Sequence, residues 1–363
     1  MRRSGYDPET LSEALKATVD RPLTFMEVCG THTVSIFRQG LRSMFPEQLR
    51  LISGPGCPVC VTSQGEIDAA LRLAAKDDIV MATYGDMLRV PGSSGSLQEQ
   101  RALGANVRVV TSAAEALDIA VRNPERETVF LGVGFETTAP ATAVVLEQAM
   151  RADIRNFSVL CLHKAVPPAL RTLACDPELA IDGFLLPGHV SVILGVEPYR
   201  FLADEMHIAC SIAGFEADDI LLGLLDLVRQ VRTDRPDVRS MYPRAVRPEG
   251  NPLARESMDR VFGRTDREWR GLGVIPLSGF DLQGEWSQFD ALERFGVSVT
   301  HAPPPPGCAC GDILRGRLDP PECPLFGKTC TPASPVGPCM VSGEGSCAAW
   351  YRYNKGGNAQ CRI

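Results

Sequence analysis

No apolar run in the chain approaches the roughly 18 residues that a membrane-crossing helix needs, so a transmembrane helix is excluded. The opening MRRSGYDPET has two arginines but no apolar stretch behind them, and no secretory signal is expected. Positive charge is in short supply: 37 Lys and Arg stand against 44 Asp and Glu, a net −7. That argues against a partner bound by neutralising nucleic-acid phosphates. Neither low hydrophobicity nor extreme charge is present, since 44% of residues are hydrophobic and 22% charged, so a disordered or fibrous chain is excluded. With 363 residues, two or three domains of roughly 100–200 residues are expected. The expectation is a cytoplasmic globular protein with no nucleic-acid or membrane partner.

Cysteine is abundant. There are 13, an odd number, and seven of them (Cys308, Cys310, Cys323, Cys330, Cys339, Cys347 and Cys361) fall in the last 56 residues. Without an export signal, such clustering points to metal binding or redox work rather than disulfide scaffolding.

Short apolar runs alternate with helical stretches. Asp7 and Pro8 open a helix carrying Leu11, Ala14, Leu15 and Val19. Strands are expected at 24–30, 49–57, 77–86, 107–112, 127–138, 157–166, 181–191 and 206–215, with helices at 65–75, 113–123, about 139–150 and 217–231. The rhythm is βαβ, the mark of parallel sheets. The fold class is therefore α/β: two similar parallel-sheet domains facing a cleft, plus a loop-rich, partly helical C-terminal domain. The boundaries predicted are 1–23 for a helix packing on the C-terminal domain, 24–125 and 126–215 for the α/β domains, and 216–363 for the rest. Ten prolines between Pro303 and Pro338 oppose regular structure there. A metal centre stapling that segment accounts for both its prolines and its cysteines.

In parallel sheets ligands collect at strand carboxyl ends, and the unusual residues sit there. EVCGTHT (27–33) places Cys29 at a strand end, where helix N-terminal donors are expected to lower its thiol pKa, with His32 in reach. GPGCPVC (54–60) supplies Cys57 and Cys60, a C-x-x-C that can exchange two electrons as a disulfide. Joined by Cys29 and His32, it also makes a plausible Cys3His zinc set. GVGFETTAP (132–140) has threonine at 137 where a dinucleotide fingerprint needs glycine, so Glu136 is read as a cleft carboxylate or a helix cap. HKAVPP (163–168) and LPGHVS (185–191) bring His163, Lys164 and His189 to the ends of successive strands. TYGDMLRVPG (83–92) adds Asp86 and Arg89 to the rim.

In the tail, Cys308, Cys323, Cys330 and Cys347 are spaced C-x14-C-x6-C-x16-C. Four thiolates can hold a cubane iron–sulfur cluster. Zinc sites usually present close C-x2–4-C pairs, and after residue 300 the nearest approach is the C-A-C at 308–310. Cys339 rivals Cys347 as fourth ligand. From chemistry alone, a metallocentre scaffold and an iron–sulfur thiol–disulfide oxidoreductase acting on a protein stand nearly level. A zinc-stabilised structural protein is the third reading.

Together EVCGTHT, SGPGCPVC, TYGDMLRVPG, VGFETTAP, LPGHVS and CPLFGKTCTP…GPCMVSGEGSCAAWYRY resemble the HypD family of NiFe-hydrogenase maturation proteins, over about residues 25–353. The resemblance implies two α/β domains plus a cluster domain. It implies a 4Fe–4S cluster on Cys308, Cys323, Cys330 and Cys347, and Cys29 as ligand of an iron carrying cyanide and CO. It implies Cys57 and Cys60 as a thiol–disulfide pair. The partners implied are a HypC-type chaperone, a HypE-type cyanide donor, and the hydrogenase large subunit reached through HypC. The role implied is a scaffold and carrier with redox activity, not an ordinary turnover enzyme. Glu136 and His189 are expected to position or deprotonate groups delivered by partners, and His32 to support the iron.

Overall fold

Strands in this chain are short apolar runs stopped by glycine, proline or a polar residue, and the computed structural model, which describes residues 5–354, follows that grammar. In chain order they are β1 (Leu23–Glu27), β2 (Leu49–Ser53), β3 (Ile79–Thr83), β4 (Asn106–Val109), β5 (Glu127–Gly134), β6 (Phe157–His163), β7 (Gly183–Pro187), β8 (Ala209–Ala213), β9 (Val238–Ser240), β10 (Phe262–Trp269) and β11 (Gly273–Leu282). The first nine build two parallel sheets, ordered β2-β1-β7-β8-β9 and β4-β3-β5-β6. β10 and β11 pair as an antiparallel hairpin. β3, β7 and β8, each paired on both sides, are buried along their whole length, as a sheet covered on both faces requires.

The opening helix, Pro8–Thr18, begins as its sequence dictates. The Asp7 carboxylate accepts the Thr10 N–H at 3.0 Å, and proline fills the first helical position. Leu11, Leu15 and Val19 pack into one apolar cluster with Ile220, Leu221, Leu224 and Val228 of the helix Ala217–Thr233 and with Phe25, Leu51 and Leu185 of the first sheet. Each such buried side chain contributes roughly 1.5–3 kcal/mol. The opening helix therefore packs on the helix Ala217–Thr233, which lies within the 216–363 stretch expected to receive it.

The order of strands corrects the predicted domain boundaries. The chain leaves the first sheet after β2, builds the second from β3 to β6, and returns to the first with β7. Two compact units result: residues 1–57, 173–250 and 307–363 in one, and 58–172 and 251–306 in the other. They interleave rather than meet at 125/126, and the stretch 216–363 is shared between them. The physical reason is that parallel strands need crossover connections, so a neighbour in the sheet need not be the next strand in the chain. Cys361 lies outside the described residues. Among the described residues no helix is long and apolar enough to cross a membrane.

Candidate functional site

Each parallel sheet has one place where the strand order reverses, and in α/β folds the carboxyl ends of the strands at such a point are where ligands bind. In the first sheet it lies between β1 and β7. The residues that follow those strands are Val28-Cys29-Gly30 and Gly188-His189. In the second sheet it lies between β3 and β5, followed by Tyr84-Gly85-Asp86 and Phe135-Glu136. Four of the motifs singled out by sequence thus fall at the two switch points.

Cys29 caps the helix Gly30–Arg38 from extended backbone, φ −149° and ψ 117°. Its N–H donates to Glu27 Oε2 at 3.0 Å, and the Thr33 hydroxyl donates to Glu27 Oε1 at 2.5 Å. Gly56, in the turn before Cys57, lies directly on this segment: the Gly30 N–H donates to its carbonyl at 3.0 Å. A Cβ at Gly56 would stand 2.2 Å from the Cys29 nitrogen. Gly30 is equally committed, since a Cβ there would stand 2.5 Å from the carbonyl oxygen of Glu344. The Glu344 carboxylate accepts the Thr31 hydroxyl at 2.8 Å. Glu344 belongs to the turn between Cys339 and Cys347, so Cys29, the turn before Cys57 and the cysteine-rich tail share one neighbourhood.

The electrostatics correct one expectation. Burial pushes the Cys29 thiol up to about 12. The His32 and Thr31 amides pull it down, as the sequence suggests, but the carboxylates of Glu344 and Glu27 add to the burial. Desolvation therefore outweighs the helix N-terminus, and only a positive partner such as a metal ion would favour the thiolate. Glu27 is buried too and pushed up to about 7, with bonds from Ser53, Thr33 and Cys29 opposing the shift.

His32 is fully buried. Its Nε2 lies 2.9 Å from the Gly214 carbonyl and 3.2 Å from that of Ala213. Both are acceptors, so Nε2 carries the proton and donates. Nδ1 is left as a buried lone pair without a hydrogen-bond partner, the only nitrogen His32 could offer a metal. Burial pushes its pKa down to about 4. His189 stacks on Phe215 at 3.9 Å between ring centroids, and His32 meets the same ring at 4.9 Å.

In the second unit the motifs do different work. The Glu136 carboxylate accepts the Val166 N–H at 3.0 and 3.3 Å, capping the helix Val166–Ala174. Burial pushes Glu136 up to about 7, with Arg264 opposing. His163 is held inside by the Thr142 hydroxyl at 3.0 Å, and burial lowers its pKa to about 4. Lys164 makes a buried ion pair with Glu66 at 2.8 Å. The sequence placed His163 and His189 at equivalent points of successive strands, but β6 and β7 lie in different sheets. His163 and Lys164 are structural groups of the second.

Glu136 yields a pH prediction. Its raised folded pKa means that between about 4.5 and 7 the folded chain holds a proton the unfolded chain has lost. Stability from this group is complete below about 4.5 and falls as pH rises through 7. Glu136→Gln keeps one acceptor for Val166 and removes the titration. The variant is expected to gain roughly 1–3 kcal/mol over wild type at pH 8 relative to pH 5, read from melting temperatures at the two pH values. Parallel pH profiles of the two proteins would contradict it.

The tail gathers its thiols. Cys308, Cys310, Cys323, Cys330, Cys339 and Cys347 line one small pocket with the apolar side chains of Ile313, Leu325, Phe326 and Met340. The Cys347 thiol is pushed far up by burial and then by Cys339, Cys308, Cys330 and Cys323. The Val336 N–H donates to Cys330 Sγ at 3.4 Å. Soft donors in an apolar enclosure suit an iron–sulfur cluster. Among the described residues no three His, Cys, Asp or Glu side chains converge tightly enough for a single ion. Cys339 and Cys347 both face the pocket.

With the site in view, the chain can be compared with known proteins. The family model HypD, described as the hydrogenase formation hypA family, matches residues 8–354. The chain belongs to the HypD family. The hydrogenase maturation factor HypD2 of Bradyrhizobium diazoefficiens is 46% identical over 355 residues, covering 95% of this chain and 93% of its own length. The HypD of Escherichia coli K12 is 45% identical, covering 94% of this chain and 92% of itself. That of Cupriavidus necator is 46% identical, covering 91% and 89%. As a HypD-family member, the chain is a hydrogenase maturation factor. Glu27 and Glu344, beside Cys29, and Phe215, between His32 and His189, were not singled out by sequence. Only Glu27 carried a signal, its place two residues before Cys29.

Proposed function

We propose that this chain is the scaffold on which, with a HypC-type chaperone, the Fe(CN)2CO unit of a NiFe-hydrogenase is assembled in the cytoplasm. The observation that carries this reading is the placement of Cys29. It sits at the switch point of its sheet, beneath helix amides, packed on the turn before Cys57 and on the turn between Cys339 and Cys347. Iron bearing cyanide and CO is cargo that needs a soft anchor, and the Cys29 sulfur is that anchor. Thr31 and the strand-end amides offer donors to cyanide nitrogens, while His32 and His189 frame the crevice. A HypE-type protein delivers cyanide, and the finished unit leaves for the hydrogenase large subunit through the chaperone.

Redox support comes from two places. Cys57 and Cys60 interchange dithiol and disulfide, taking up or releasing two electrons and two protons. Cys308, Cys323, Cys330 and Cys347 hold a 4Fe–4S cluster, which when bound supplies electrons singly. His189, at the switch point of the first sheet, positions or deprotonates delivered groups. A plain thiol–disulfide oxidoreductase has no use for a third thiol at a switch point, and Cys29 is such a thiol. The test is complementation. A host lacking its own HypD-family protein is expected to regain hydrogenase activity when this chain is supplied. Folded chain at wild-type level with no activity recovered would contradict the reading.

A further inference from the structure

Two helices of the tail each carry a thiol that lines the pocket, Cys339 in Pro338–Val341 and Cys347 in Ser346–Tyr353. The turn that joins them has little freedom of its own. The Ser342 N–H donates to the Pro338 carbonyl at 3.1 Å, the Gly345 N–H to the Ser342 carbonyl at 3.1 Å, and the Glu344 N–H to the Ser342 hydroxyl at 3.2 Å. Gly345 lies on Cys339 itself: a Cβ there would stand 2.1 Å from the Cys339 carbonyl oxygen. Whatever fixes the two sulfurs therefore fixes this turn.

Glu344, at the tip of the turn, is exposed, yet it is docked by both its backbone and its side chain. Its carbonyl oxygen is the atom that leaves no room for a side chain at Gly30, and its carboxylate accepts the Thr31 hydroxyl at 2.8 Å. Gly30 and Thr31 open the helix that Cys29 caps. The carboxylate also reaches the His189 ring, whose pKa burial lowers and Glu344 raises. Contacts thus run from the two pocket thiols through the turn to Glu344, then to Thr31 and Gly30, and so to Cys29. We propose that Glu344 is a positioning residue that couples the two sites, so that filling the thiol pocket orders the helix start beside Cys29. The inference rests on the reading of the tail as the holder of a cluster. Its consequence is an order of events: the redox group is in place before the cargo iron is well held. The tail meets the same helix a second time near its other end, where the Trp350 and Phe37 ring centroids lie 5.1 Å apart. Only the first turn of the helix reports the route through Glu344.

The test is hydrogen–deuterium exchange, read by mass spectrometry on the full chain under anaerobic conditions. The chain is emptied with a chelator and a reductant, then reconstituted with ferrous iron and sulfide, and acid-labile sulfide per chain confirms each state. In wild type, exchange in the peptide holding residues 29–34 is expected to slow about fivefold or more on loading. In Glu344→Ala the loaded chain is expected to exchange there about as fast as the emptied one, with its sulfide unchanged. Thr31→Val cuts the same bond from the other side, leaves the tail intact, and is expected to do likewise. Glu344→Gln keeps an acceptor for Thr31 and is expected to retain the loading effect. A merely structural tie would speed exchange by equal factors in the loaded and emptied chains, whereas coupling makes the two losses non-additive. The helix Ala139–Arg151 serves as internal reference and is expected to exchange alike throughout. The loading effect is also expected in Cys29→Ala; its loss there would assign the effect to iron on Cys29 and overturn the inference. No loading effect at 29–34 in wild type would overturn it too, as would a full effect in Glu344→Ala. A chain that takes up no sulfide on reconstitution is a distinct result, which refutes the cluster reading and this inference with it.

Discussion

Cys29→Ala is expected to bring hydrogenase maturation to background while the chain folds and keeps the sulfide bound by its tail. The side chain is small and buried, and no side-chain hydrogen bond of the helix cap depends on it, so its loss costs little stability. What disappears is the sulfur at the switch point. Burial and the nearby carboxylates of Glu344 and Glu27 make this thiol reluctant to ionise without a positive partner. In the proposed scaffold a ferrous iron would supply that partner, and the His32 and Thr31 amides would then favour the anion. Serine in place of Cys29 keeps the size but offers a hard donor poorly matched to iron carrying cyanide and CO. Cys29→Ser is therefore expected to fail as fully as alanine. The check is hydrogenase activity in the complemented host beside acid-labile sulfide per chain. Activity retained in either variant would remove Cys29 from its role.

Gly56→Ala is expected to damage both the fold and the site. The added Cβ would stand 2.2 Å from the Cys29 nitrogen and 2.4 Å from the Cys29 Cα and the Val28 carbonyl carbon. All three are backbone atoms, so no side chain can swing aside, and the turn before Cys57 must part from the end of β1. The bond from the Gly30 N–H to the Gly56 carbonyl is strained with it. Overpacking of this kind costs roughly 1–3 kcal/mol, and a melting temperature lower by roughly 1–4 °C is expected. Maturation activity should fall further than stability alone explains, because the atoms displaced carry Cys29. Gly85→Ala is the control: its Cβ would meet nothing nearer than 3.7 Å, and a change within about 0.5 kcal/mol is expected. Equal melting temperatures for Gly56→Ala and wild type would refute the packing argument.

Strands were legible where an apolar run met a glycine or a polar stop. β2, β5 and β7 each sit inside the stretch expected for them, β1 starts one residue before its stretch, and the motifs at their ends were found for the same reason. Their pairing was not legible. Nothing in TFMEV says that it will lie beside GFLLP, more than 150 residues on, so the consecutive domains read from the sequence became interleaved units. The hairpin β10–β11 was missed because Phe262–Trp269 is mostly polar and its pairing is interrupted at Thr265/Arg267. Cys29 and Cys57 carried their own signal. Glu344, which shapes the site from 315 residues further along the chain, carried none. The thiol pKa was misjudged because a sequence shows the amides of a coming helix start but not the depth at which the thiol will be buried.

The central claim is that the tail holds an iron–sulfur cluster and Cys29 a separate iron. The most direct measurement is iron, zinc and acid-labile sulfide per chain in anaerobically purified protein, wild type beside Cys29→Ala, with the chaperone partner co-produced. The account predicts about four iron and four sulfide in both, with further iron in the wild type alone. Zinc without sulfide would contradict the cluster, and iron equal in the two proteins would contradict the second site.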